Sequence, residues 1–351
     1  MGHFVRRNTA APRQLALLGP GRSATRGPAI ALALATALAT AAVAAEPGPA
    51  AEPGSPTLVA AAPEKGFHYP YLLVVPSRAS SATAAGEAPL LVEPNNTGKV
   101  SDDFIVHLSA ARDLAQKAIG GYVARELGLP LLVPVFPRPE KQWELYTHQL
   151  DRDTLLVADG LLRRLDLQLL GMIDDARERL ALQGWKVPEK VLLTGFSASG
   201  SFVNRFTALH PERVRAVAAG GLNGNLILPL ATLDGRTLPY PLGVADLAAV
   251  SGRAFDAAAW KRVPQFLYMG ALDDNDAVQY DDGYTTAEKA IVDAVIGAKM
   301  QPDRWEHCQR LYRDAGANVE FRTYAGVGHF TDQKVNEELR DFFRGQLVPV
   351  R

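Results

Sequence analysis

Between residues 191 and 210 an apolar run leads into a turn and straight out into a helical pattern. A serine stands at the tip: Val191-Leu192-Leu193-Thr194-Gly195-Phe196-Ser197-Ala198-Ser199-Gly200-Ser201-Phe202. A strand-to-helix reversal this tight has no room for large side chains beside the serine, so small residues must flank it. Gly195 stands two positions before Ser197, Ser199 stands two positions after it, and Gly200 follows. A bare Gly-x-Ser-x-Ser match is common by chance. The strand before it and the helix after it make it the sequence context of a nucleophile elbow. The bland alternative is a Ser/Gly-rich turn without chemistry.

The rest of the chain continues the alternation that such an element requires. Residues 71–75 and 89–92 read as strands joined by a hairpin-like excursion. Residues 102–127 read as one long amphipathic helix, with Ser101 as N-cap and Gly128 as stop. Residues 129–136 form an apolar strand of the kind buried on both faces, although Pro134 has no N–H for a fully paired position. Helices are expected at 161–183, 286–299, 302–311 and 331–346, and strands at 214–219, 264–270 and 319–324. Alternation of this kind predicts a mostly parallel sheet with helices on both faces. Residues 226–263, interrupted by prolines and Gly235, read as a small lid-like insertion over the sheet end.

A serine hydroxyl is a weak nucleophile at neutral pH and needs a base, and the base needs an acid to orient it. Both follow Ser197 in the order an elbow serine calls for. The strand at 264–270 ends in Ala271-Leu272-Asp273-Asp274-Asn275-Asp276, which makes Asp273 the first candidate acid and Asp276 the alternate. The acidic run lacks the spacing of a calcium loop, and no metal is expected. The strand at 319–324 runs into Gly326-Val327-Gly328-His329, which places His329 as the base. Two N–H donors must meet the oxyanion. Ala198 opens the helix after the nucleophile, and the turn Asn95-Asn96-Thr97 after the strand at 89–92 offers the second donor from Asn96 or Thr97. In the loop around residues 143–153, Tyr146 and His148 are candidate substrate contacts. The other histidines fall in the N-terminal segment, at the domain edge or in predicted helices.

The N-terminal segment is a separate matter. Residues 1–45 carry five arginines, then an uncharged alanine-rich run ending in Ala42-Val43-Ala44. A basic stretch, an apolar stretch and small residues at a cleavage position predict an export signal rather than a membrane anchor, and a periplasmic or secreted protein. Residues 46–66 read as a flexible linker and 67–351 as the folded domain. Without the first 45 residues, 32 basic residues face 38 acidic ones, so no basic stripe points to nucleic acid. The single cysteine, Cys308, excludes an intramolecular disulfide framework.

Taken together, the elbow around Ser197, the turn Gly270-x-x-Asp273 and Gly326-Val327-Gly328-His329 resemble the α/β-hydrolase superfamily. Within it the chain resembles secreted bacterial esterases of the polyhydroxybutyrate-depolymerase/feruloyl-esterase-like and dienelactone-hydrolase-like groups, over roughly residues 71–346, nearly the whole of the expected mature chain. The resemblance implies cofactor-free, metal-independent hydrolysis of small or polymer-derived esters through an acyl-enzyme. Two departures stand out. Ser199 replaces the second glycine of the elbow, and Pro94-Asn95-Asn96-Thr97-Gly98 replaces the usual His-Gly-Gly oxyanion loop. A serine peptidase of the prolyl-oligopeptidase type would use the same triad, but the chain has no propeller-sized N-terminal domain. A non-catalytic binding protein on the same fold would have no use for the ordered Ser, Asp and His.

Overall fold

The computed structural model describes residues 54–77, 88–96, 98–222 and 224–347. The expected export signal, residues 46–53 of the expected linker, and Thr97 lie outside them. Strands β1 (Pro56–Val59), β2 (Tyr71–Val74), β3 (Leu91–Val92) and β4 (Leu131–Pro134) precede the elbow strand β5 (Val191–Phe196). After it come β6 (Val214–Gly220), the small hairpin β7 (Thr232–Leu233) and β8 (Arg236–Thr237), β9 (Gln265–Gly270) and β10 (Val319–Tyr324). The helices are α1 (Phe104–Lys117), α2 (Ile119–Leu127), α3 (Arg152–Leu156), α4 (Leu165–Leu182) and α5 (Ala198–Leu209), then α6 (Leu247–Ser251), α7 (Ala257–Arg262), α8 (Thr286–Ile291), α9 (Trp305–Asp314) and α10 (Gln333–Leu347).

One eight-stranded sheet runs in the order β1-β2-β4-β3-β5-β6-β9-β10. The β1–β2 and β2–β4 pairs are antiparallel, and every pairing from β4 to β10 is parallel. The apolar runs Leu131-Leu132-Val133 and Val191-Leu192-Leu193 are fully buried, as strands covered on both faces must be. The chain leaves β3 for β4 in one direction along the sheet and leaves β5 for β6 in the other. Right-handed crossovers then put α2 on one face, where α10 packs against it, and α4 and α5 on the opposite face. Neighbouring strands β3 and β5 thus diverge in their connections. The crevice at the carboxyl ends of such a pair is where an open α/β sheet receives ligands.

Several expectations are corrected. Strands β2 and β3 are not a hairpin, because β4 lies between them. The expected linker is partly built into the fold: β1 is hydrogen-bonded along β2, and Lys65 Nζ reaches Asp175 at 2.5 Å. A run of Ala, Pro, Gly and Glu conceals Thr57-Leu58-Val59, which suffices for an edge strand that pairs on one side only. Pro134 does sit in the sheet interior. Val135 N donates to Pro70 O on the β2 side, so the proton Pro134 lacks would face β3 beyond its last paired residue, Val92. Residues 226–263 are anchored in the core through Leu226, Ile227, Leu228, Leu238, Tyr240 and Leu242, all buried, while 231–237 and 252–258 are mostly exposed. Arg152 ties them down through Tyr240 O at 2.9 Å and Asp246 at 2.7 Å.

The expected long helix is two, α1 and α2, with extended Ala118 between them and Asp103 rather than Ser101 as the N-cap. The break serves a contact. Gly120 N donates to Glu93 Oε2 at 2.9 Å, and a Cβ on Gly120 would lie 2.3 Å from that oxygen. Glu93 is fully buried just beyond β3, and burial pushes its carboxyl from 4.5 up to about 8. Between those values the folded chain holds a proton that the unfolded chain has lost, so stability falls as pH rises through this window. Glu93→Gln keeps an acceptor for Gly120 without the titration. Urea melts between pH 5 and 8 should show a stability slope less negative than wild type by up to about 1.4 kcal/mol per pH unit. Identical slopes would remove Glu93 from the pH response.

Candidate active site

Ser197 sits between β5 and α5 with φ 62° and ψ −130°, a conformation costly for any residue with a side chain. The elbow holds it there by close approach. A Cβ on Gly195 would lie 2.3 Å from Ser199 O, and one on Gly200 would lie 2.4 Å from Gly220 O. Ser199, the departure from the usual pattern, is accommodated because its side chain turns back on the elbow. Its Oγ accepts from Phe196 N at 3.0 Å and donates to Phe196 O at 2.8 Å. Phe196 N faces away from β6 at the level where β3 has already ended, and Ser199 supplies its partner. Ser199→Ala should therefore cost about 1 kcal/mol or more in a denaturant melt, the penalty of leaving a part-buried N–H without its partner. A cost below a few tenths would mean that the turn is held by its glycines alone.

The expected base and acid meet. His329 Nδ1 lies 3.0 Å from both Asp273 oxygens, with Asp273 buried and a quarter of the His329 side chain exposed. Phe196, the residue before Ser197, packs its ring 4.8 Å from the imidazole and so sets the His329 ring against the elbow. Asp276, the alternate acid, is elsewhere. It forms a two-pronged ion pair with Arg304 at 2.9 and 3.1 Å and caps the following turn through Val278 N. On the oxyanion side, Ala198 is the first residue of α5, where N–H groups are free and the helix dipole favours an anion. Asn96 is drawn to the elbow by its side chain, which donates to Phe196 O at 3.2 Å. Its neighbour Asn95 is buried and straps the turn to the end of β4, bonding Phe136 O at 2.8 Å and Phe136 N at 3.0 Å.

His148 is not a substrate contact. It is buried with Nε2 2.9 Å from Phe136 O, and burial drives its pKa down to about 3, so it stays neutral and structural. Tyr146 is half-buried beneath the Arg138 guanidinium, 4.0 Å from its ring centroid, and Arg138 pairs with Asp282 at 2.5 Å. That stack joins the loops after β4 and β9. Asp151 is likewise structural: it caps α3 through Thr154 N and accepts from Tyr146 N. Residue types and spacing gave no hint of Asn275, whose amide Nδ2 lies 3.0 Å from His329 Nε2. Its only sequence mark is its place two residues after Asp273.

Neither a protein-family model nor a curated protein matches the chain. Among solved structures, poly(aspartic acid) hydrolase-1 from Sphingomonas sp. KT-1 is similar with TM-score 0.54 at 17% identity, over 82% of this chain and 97% of that one. An S-formylglutathione hydrolase from Agrobacterium tumefaciens matches with TM-score 0.45 at 12% identity, over 83% and 93% of the two chains. A truncated carbohydrate esterase from gut microbiota matches with TM-score 0.46 at 13% identity, over 84% and 98%. The sheet order, the position of Ser197 beyond β5 and the first of these matches agree: the chain has the α/β-hydrolase fold.

Proposed function

We propose that the chain is an exported serine hydrolase that cleaves small or polymer-derived carboxylic esters through an acyl-enzyme on Ser197. The observation that carries this reading is the Asp273–His329 pair, closed at 3.0 Å and packed against the elbow that holds Ser197 in its strained conformation. In the reaction, Ser197 Oγ attacks the ester carbonyl as His329 Nε2 takes its proton. Asp273 holds the proton on Nδ1 and stabilises the imidazolium. The oxyanion turns to Ala198 N–H and to a second donor from the turn after β3. His329 then protonates the departing alcohol, and a water activated by the same histidine releases the acid. Besides the ester and that water, these steps use side chains and backbone of this chain. For export, the support is the basic, apolar and small-residue succession in residues 1–45. Among the described residues no helix is long and apolar enough to cross a membrane.

The test is hydrolysis of p-nitrophenyl esters from acetate to long acyl chains, beside amino-acid p-nitroanilides, by wild type and Ser197→Ala. Ester turnover that falls at least about 10³-fold in the variant supports the reading. Preference for the anilides would make the protein a peptidase. No turnover in either series, from a folded protein that also ignores a fluorophosphonate, would leave a binding protein on this fold.

A further inference from the structure

His329 Nε2 is the nitrogen that a general base must offer to Ser197, and here it is engaged by another group. Asn275 Nδ2 lies 3.0 Å from it. Asp273 accepts at Nδ1, so the neutral ring has its proton there and its single lone pair at Nε2. Only the NH₂ end of the Asn275 amide can face that lone pair. The same Asp273 carboxylate also accepts from Asn275 N, at 3.1 Å, so one buried acid orients both the ring and the residue that covers it. Asn275 is half-buried and its loop lies at the carboxyl end of β9, beside the crevice.

We propose that Asn275 is a positioning residue that latches the resting histidine. It holds the imidazole in the tautomer catalysis needs while occupying the lone pair, and it yields that lone pair to Ser197 when substrate enters. This rests on the triad reading above. As Ser197 Oγ forms its bond to the carbonyl carbon, the hydroxyl proton moves to Nε2, which becomes a donor. The Asn275 amide must then turn its oxygen towards Nε2–H or withdraw, until the leaving alcohol takes that proton. Asn275 can serve either state of the ring because its side chain carries both a donor and an acceptor. Neither alanine nor aspartate can do so.

The experiment is the second-order rate of serine phosphonylation by a fluorophosphonate, measured across pH on the full chain and on Asn275→Ala and Asn275→Asp. Alanine removes the competitor for the lone pair, and the rate at neutral pH should rise about 2- to 10-fold, the worth of one neutral hydrogen bond. Aspartate can only accept and favours the charged ring, so the rate at neutral pH should fall and the acid limb should move to higher pH. A residue that merely supported the loop would lower the rate in both variants and leave the limb in place. That outcome, or an alanine rate equal to wild type, would overturn the latch. Should alanine fail to fold, Asn275→Ser, too short to reach Nε2, repeats that arm. A wild type that is not phosphonylated at all, and behaves as Ser197→Ala does, would sink the triad and the latch together. A reactive wild type with no difference between variants sinks the latch alone.

Discussion

Asp273→Asn is expected to lower kcat for ester hydrolysis by about 10³- to 10⁴-fold while the protein stays folded. The carboxylate can only accept, and at 3.0 Å from His329 Nδ1 it keeps the ring proton on the far side from the serine. An asparagine there can present its NH₂ group instead. That stabilises the opposite tautomer, with Nε2 protonated and useless as a base. The control is Asp276→Asn, whose side chain touches Arg304 and not His329. It should retain kcat within about tenfold per folded molecule, since none of its contacts lies on the proton path. Steady-state kinetics on one p-nitrophenyl ester, scaled by active-site titration, separates the two. The reverse pattern, with Asp276→Asn the dead enzyme, would transfer the acid role and contradict the geometry.

Arg304→Met should destabilise the fold by about 3–5 kcal/mol, the cost of leaving a buried charge without its partner. Arg304 is fully buried, and its five N–H groups are all used. Nε donates to Gly297 O at 2.8 Å, and Nη1 to Gly224 O at 2.8 Å and Asp276 Oδ1 at 2.9 Å. Nη2 donates to Asp276 Oδ2 at 3.1 Å and Ala298 O at 3.2 Å. One guanidinium thus fastens the loop after β6 to the loop after β9, the loop that carries Asp273. Urea unfolding of Arg304→Met, Asp276→Ala and the double variant should show the double costing well below the sum, because either single change strands the same pair. A single-variant cost under about 1 kcal/mol would mean that water replaces the pair and that the loops hold each other without it.

Much of this site could be read along the chain, and where reading failed the failures share a cause. The elbow was legible because its steric demand is local: Gly195 and Gly200 are small for contacts made within a few residues or with the next strand. Most strand and helix positions followed from periodicity, and the misjudged helix at 102–127 erred at its N-cap and at Ala118, where a distant Glu93 draws Gly120 inward. His148 looked like a ligand because it lies on a loop near the sheet end. Its burial under Phe136 and Asn95 is a property of two other segments.

By itself the sequence determined the α/β layering, the strand–turn–helix around Ser197, and the order in which a serine, an acid and a histidine reach the same sheet end. Spacing, residue size and apolar periodicity are properties of neighbouring residues, so they survive in one dimension. Only the tertiary structure set Asp273 rather than Asp276 against His329, buried His148, gave the Ser199 hydroxyl its partners and brought Asn275 onto Nε2. The role of a polar side chain depends on which partner takes up its hydrogen bonds and on how far water is excluded. For Asp273 that partner is His329, 56 residues further along the chain.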